Sequence, residues 1–343
     1  MQKARLYWGR LGMFCAVIFT AASALGTIDS TLQMQLGNPS NATTNTNNHA
    51  HYLVQRTVEA LDYSDNLGQP VWAAWNLTAS DVGAAARTQN YYVDTNLPPN
   101  FTPISNSDYT GVGNIGFNRG HLCPSEDRTD NATNNKLLFF TSNIMPQSGA
   151  NNQAPWGNFE AYCRTLLTNY ELLIICGPSG FGTNLLPSGK VYIPSNSWKV
   201  AVCVPLGNGL AASRITASTR TIAITIPNAT NGLSSDWHTY VTTPQKIEAA
   251  TGFTFFTALP ADVAGALRTQ LDGSPVFAAT VRTNGQFRLT INGWTGTNYI
   301  VQSATNLTAP VWVNLATNAA PFTYTQANLS TTGQRFYRAK LWP

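Results

Sequence analysis

After one amphipathic helix the chain runs into four apolar segments, and this succession restricts the fold more than any other feature. Asn158 to Tyr170 carries Phe159, Cys163, Leu166, Leu167 and Tyr170 at helical spacing, entered through Pro155. ELLIICG, KVYIPS, WKVAVCVPL and TIAITIP follow, separated by turn residues, and each reads as a strand. Upstream, TVEALDYS and VWAAWNL read as an antiparallel hairpin turning through NLGQ. Lys136 to Asn143 (KLLFFTSN) reads as a further strand, and a short helix is expected near Pro244 to Thr251. Leu36 to Ser40, followed by ATTNTNN, has the composition of a turn-rich linker.

The texture changes after about Pro275. QFRLTINGW, NYIVQSATN, VWVNLATN, FTYTQ and RFYRAKLW are short β runs between Asn-, Gly- and Thr-rich turns, the spacing of a small β-sandwich. The expected organisation is a leader over 1–24, a large domain over 25–275 and a small β module over 276–343. In the leader, Lys3, Arg5 and Arg10 precede an apolar run from Leu11 to Ala24, and Ala22-Ser23-Ala24 fits a cleavage site. Export with cleavage near Ala24 is the expectation, to an extracellular or periplasmic space; a retained N-terminal anchor is the alternative. The run is short for a membrane span, and no later stretch is long enough.

The net charge of +4 invites a polyanion as partner, but its distribution matters more. The leader holds three of the 20 Lys+Arg and none of the 16 Asp+Glu, which leaves +1 beyond it. Val276 to Pro343 holds Arg282, Arg288, Arg335, Arg338 and Lys340 and no acid, so +5, against −4 for 25–275. Attraction for phosphate in the large domain must therefore come from a few placed arginines. Of five cysteines, Cys15 lies in the leader and Cys123, Cys163, Cys176 and Cys203 remain. In an oxidising compartment they permit two disulfides in any of three pairings; buried free thiols are the alternative. None shows the C-x-x-C spacing of a structural zinc site.

Chemistry concentrates between Asn118 and Arg164. His121 is one of four histidines and follows Gly120, which lets the backbone turn tightly and come close to a ligand. A neutral imidazole suits a general base near neutral pH, although a lone histidine is more often an ordinary polar group. On a helix starting near Asn152, positions 152, 156, 160 and 164 share a face. Asn152, Glu160 and Arg164 then line a polar wall with Trp156, opposite the apolar stripe. An asparagine oxygen there suits Mg²⁺ or Mn²⁺, with Glu160 holding one of the ion's waters. An amphipathic helix with an N-cap asparagine and a solvated Glu–Arg pair would show the same pattern.

These residues resemble the DNA/RNA non-specific endonucleases of the ββα-metal (His–Me finger) type, especially secreted cyanobacterial and bacterial members. The resemblance runs from about Met34 to Asp272 and takes in LGNPSNATT, the DY–DRT segment, YVDTNLP, CGPSG, KVYIPSNSWKV, TRTIAITIPN and IEAATGFTFF. It moves LGNPSNATT from linker to domain. It implies an α+β fold with a central antiparallel sheet flanked by helices; the small all-β sandwich module follows this core. It also implies metal-dependent hydrolysis of DNA and RNA with little sequence preference, 5′-phosphate products and one divalent cation, Mg²⁺ or Mn²⁺. His121 matches the general base, Asn152 the direct metal ligand, and Glu160 the glutamate that anchors metal-bound water. Asn143 supports the site by orienting the histidine or the metal's waters. Arg119 belongs to the D-R-G-H motif. Arg87, in ARTQNYYVD, matches an upstream arginine that meets the phosphate, and Arg164 matches one on the helix.

Two positions depart from that pattern. Asn118 stands where the family has aspartate, and Glu126 where alanine is usual. They lend weight to one rival, a catalytically impaired secreted protein that binds nucleic acid or a surface through its basic β module. A second rival is a cysteine hydrolase pairing Cys123 with His121, although an i,i+2 spacing in extended chain leaves the two apart without a bend.

Overall fold

The computed structural model describes residues 32–274, 276–283, 286–294, 296–326 and 334–341; the leader expected over 1–24 lies outside them. In chain order the first strands are β1 (Tyr52–Gln55), β2 (Ala60–Ser64), β3 (Gln69–Leu77), β4 (Phe117–His121), β5 (Ile144–Ser148), β6 (Tyr170–Leu185), β7 (Tyr192–Pro205), β8 (Thr221–Pro227) and β9 (Val241–Thr242). Seven of them form an antiparallel sheet in the order β1-β2-β3-β6-β7-β8-β9, while β4 and β5 pair separately. The expected hairpin is β2–β3. KVYIPS and WKVAVCVPL join into the single strand β7, so four expected strands become three.

Side chains alternate across the sheet, and both faces are buried. Leu61, Trp75, Leu172, Ile174, Ala201 and Ile224 point to one side and meet Leu122, Phe139, Trp156, Phe159 and Cys163. Trp72, Leu173, Ile175, Val200 and Val202 point to the other and meet Met34, Leu36, Ile247, Phe255 and Leu267. The second side is covered by helices Pro244–Thr251 and Ala261–Thr269. Met34 and Leu36 lie in this core, and Asn38 exchanges two hydrogen bonds with the Ala42 backbone. The segment that reads as a linker by composition is therefore part of the fold. Among the described residues no helix is long and apolar enough to cross a membrane.

KLLFFTSN is not a strand. Asn131 caps a short helix, Ala132–Leu137, by accepting from the Asn134 amide, and Thr141–Asn143 forms a 3-10 turn. Leu138 and Phe139 between them are fully buried. A short apolar run reports burial and does not separate helix from strand. The expected helix is Gly157–Thr165, extended by a 3-10 turn at Leu166–Thr168. It is preceded by a π turn, Asn152–Trp156, where Pro155 offers no N–H to close a regular turn.

The later strands are β10 (Val276–Thr283), β11 (Gln286–Asn292), β12 (Asn298–Ala304), β13 (Val313–Ala319), β14 (Phe322–Gln326) and β15 (Phe336–Leu341). They make two three-stranded antiparallel sheets, β10-β11-β14 and β13-β12-β15. Leu289, Ile291, Tyr299 and Val301 are buried between them.

Candidate active site

The ribbon β4–β5 and the helix Gly157–Thr165 form a ββα unit on one face of the large sheet. Gly120 is an extended residue of β4. A Cβ there would lie 2.3 Å from Gln147 Oε1 and 2.5 Å from Gln147 Cβ. Close approach across the ribbon, and not the expected tight turn, is what demands glycine.

His121 ends β4 and is buried, and its Nε2 has no hydrogen-bond partner. The ring packs edge-on to Phe139 at 4.7 Å and lies 5.7 Å from Tyr91. Burial and then the nearby Arg87 charge push its pKa down to about 3, so the imidazole is neutral around neutral pH. Arg87 is exposed, with its guanidinium 4.9 Å over the other neighbour of His121, the Phe139 ring. Arg119 shares the His121 side of β4 by alternation; it lies over Tyr91 and donates to the Asn106 carbonyl at 3.4 Å. Two guanidiniums thus flank one neutral imidazole.

Asn143 has a different place from the one expected. Fully buried, it accepts from the Cys123 amide and donates to the carbonyls of Cys123 and Leu138. It braces the backbone just beyond His121 and makes no hydrogen bond to the imidazole. Asn152 donates through Nδ2 to Asn118 Oδ1 at 3.2 Å, and Gln153 reaches the same oxygen at 3.3 Å. The departure at 118 therefore keeps an acceptor for Asn152. With its amide nitrogen so engaged, Asn152 Oδ1 is the atom left for a cation.

Beneath Asn152 the helix carries charge into the core. Glu160 Oε1 accepts from Lys199 Nζ at 2.7 Å, and Lys199 is 1% exposed. The ammonium lies 4.2 Å over Trp156 and 5.2 Å over Trp75. Burial alone would drive its proton off, but Glu160 outweighs this and holds the pKa above its usual value. Next to the pair, buried Asp127 accepts from the Trp75 indole at 3.0 Å and from Arg164 Nη1 at 2.9 Å. Arg164 Nη2 lies 3.4 Å from Glu126. So Arg164 is committed to two carboxylates, and the unusual Glu126 is one of them. Trp156, expected on a polar wall, is buried in the core.

Lys199 and Asp127 escaped the sequence reading. A lone lysine in the apolar strand WKVAVCV was the available signal, because alternation puts it on the side of Ala201 and Cys203, which is the site side. Among the described residues no group of three His, Cys, Asp or Glu side chains is placed to hold a metal. A cation here would draw an amide oxygen from Asn152 and keep several waters, which Mg²⁺ and Mn²⁺ tolerate. The donor set fits.

Cys123, Cys163, Cys176 and Cys203 are buried free thiols, so of the two alternatives the thiols hold and neither permitted disulfide forms. Burial pushes Cys123 far above its usual value, and Cys176 and Cys203 up to about 12. A buried, protonated Cys123 is a poor nucleophile, which removes the cysteine hydrolase reading.

The model of the DNA/RNA non-specific endonuclease family matches residues 36–262. The chain belongs to that family. This endonuclease is 37% identical over 244 residues to a nuclease of Nostoc sp., covering 70% of this chain and 86% of that one. It is 26% identical over 262 residues to a nuclease of Serratia marcescens, covering 74% and 91%. Human mitochondrial nuclease EXOG is 28% identical over 217 residues, and the match spans 55% of its length and 58% of this chain. Among solved structures, the EndoG/EndoGI complex contains a chain with the same fold, at TM-score 0.52 and 21% identity, covering 60% of this chain and 86% of that one.

Proposed function

We propose that this endonuclease is an exported enzyme hydrolysing phosphodiesters of DNA and RNA with His121 as general base. The observation that carries the reading is the buried, neutral His121 imidazole, whose ring neighbours Phe139 and Tyr91 carry the Arg87 and Arg119 guanidiniums. The imidazole takes a proton from water as the water oxygen bonds to phosphorus. The P–O3′ bond breaks, the 3′ oxygen takes a proton from solvent water, His121 returns its own to solvent, and the phosphate stays on the 5′ side. Arg87 and Arg119 hold the phosphate through N–H donors and meet its growing charge. Arg164 is held by Asp127 and Glu126, so it positions the helix beneath the site. Asn152 Oδ1 would hold one Mg²⁺ or Mn²⁺ directly, and the Glu160 carboxylate would hold one of that ion's waters. When bound, that ion supplies charge neutralisation at the phosphate and the departing oxygen. Contacts confined to phosphate and sugar carry no direct base information, which supports sequence tolerance. In this reading 25–275 is the catalytic domain and 276–343 an appended module.

The test is incubation with plasmid DNA and with RNA in Mg²⁺, Mn²⁺ or EDTA. Divalent-dependent degradation of both polymers, lost in His121→Ala, is expected. Cleavage by His121→Ala at the wild-type rate would remove the assigned base.

A further inference from the structure

The small module holds five of the chain's cations and no acid. In the sheet β13-β12-β15, Tyr299, Val301, Tyr337 and Ala339 pack inward, so alternation sends Arg338 and Lys340 to the outer face. Arg338 stands opposite Gln302 and Lys340 opposite Ile300; both cations are exposed, and the Gln302 and Ile300 side chains beneath them are buried. Arg338 is pre-set: its guanidinium lies 4.1 Å over Trp312, its Nε donates to Gln302 Oε1 at 2.8 Å, and Gln302 donates to Asn314 at 2.6 Å. Among the described residues no carboxylate pairs with Arg338 or Lys340.

This face is held in a fixed relation to the site. From the module, Trp294 Nε1 donates to Asp272 Oδ2 at 2.6 Å, and Asp272 takes Arg220 through two bonds of 2.8 Å. Arg220 in turn donates to the Tyr162 hydroxyl at 2.9 Å. Trp237 sits 6.1 Å from Trp294 and 4.9 Å from both Phe159 and Tyr162. Phe159 and Tyr162 belong to the helix that carries Glu160 and Arg164. The module is thus latched to the active-site helix by an aromatic cluster and a charged bridge.

We propose that the outer face of β13-β12-β15 is a second contact for the sugar–phosphate backbone of the polymer substrate, retaining the strand while the site cuts it. The proposal rests on the nuclease reading. A guanidinium over an indole, its Nε taken by Gln302, still presents its two Nη groups as donors for a phosphate, and Lys340 adds a point charge two residues along.

The test compares full-length wild type, Arg338→Gln/Lys340→Gln and Arg288→Gln, the last an exposed cation on β11 of the other sheet. Binding of labelled 30-nucleotide duplex and single strand is read by anisotropy in EDTA over a range of salt. Turnover of a dinucleotide-sized phosphodiester is read in Mg²⁺. The double variant is expected to lose about tenfold in affinity, with a log–log salt slope shallower by roughly 1 to 2. Arg288→Gln should stay within about twofold of wild type, and turnover of the small substrate should be equal in all three. Unchanged binding by the double variant would overturn the proposal. So would a loss in Arg288→Gln as large per charge, or a loss seen with dextran sulfate and not with DNA. If the double variant loses DNA binding but wild type never cuts the small substrate or the polymers, the nuclease reading fails while the docking face stands.

Discussion

Lys199 Nζ lies 2.7 Å from Glu160 Oε1 although the two residues are 39 apart in the chain, and the pair is enclosed between Trp75 and Trp156. The contact fixes one oxygen of the carboxylate on the site helix and leaves the other for the site. Removing one partner of a buried pair strands the other charge, at about 3–5 kcal/mol, whereas replacing both with apolar groups is often neutral. Lys199→Met should therefore lower the urea midpoint strongly and abolish plasmid cleavage. Lys199→Met/Glu160→Leu should regain most of the stability and none of the cleavage. A double variant as unstable as the single one would show that the loss is a packing effect.

At Asn118 a neutral amide accepts from Asn152, where the family pattern has a carboxylate. Asn118→Asp gives Asn152 a charge-assisted partner and adds negative charge beside the proposed cation. Half-maximal cleavage should need severalfold less Mg²⁺. Asn118→Ala frees the Asn152 amide to rotate and should need more. Identical Mg²⁺ titrations for all three proteins would separate Asn118 from the metal site.

The low pKa of His121 has a sign that can be checked in EDTA. Folded, the imidazole protonates near 3, against about 6.5 for the ordinary side chain. Between those values the unfolded chain binds more protons, so the contribution of His121 favours folding at neutral pH and is lost as pH falls through this window. The wild-type midpoint should fall more from pH 7 to pH 4 than that of His121→Asn. Parallel curves would contradict a buried neutral imidazole.

Buried thiols predict silence toward reagents. Maleimide on the native protein should leave cleavage unchanged, and dithiothreitol should leave Tm unchanged, because none of the four cysteines is paired or exposed. Rapid inactivation by maleimide would revive a role for Cys123.

The local residues told much of this. Phe159, Cys163 and Leu167 at helical spacing place one helix, and the apolar runs place β6, β7 and β8. His121, Asn152 and Glu160 can be singled out because each sits in a short motif whose chemistry is local. KLLFFTSN misled because an apolar run reports burial, and here the burial is at a helix end. Trp156 misled because the wall it shares with Glu160 is buried around Lys199 and not open to solvent. Free thiols over disulfides likewise depended on where four separate elements came to rest.

The sequence by itself determined which segments bury a face and which short motif holds the histidine proposed as base, since periodicity and motif are properties of neighbouring residues. Only the tertiary structure decided that Lys199 anchors Glu160, that Asp127 and Glu126 hold Arg164, and that Asn118 orients Asn152. Charges and amides find partners across the sheet and ribbon, and no spacing along the chain encodes which partner is met.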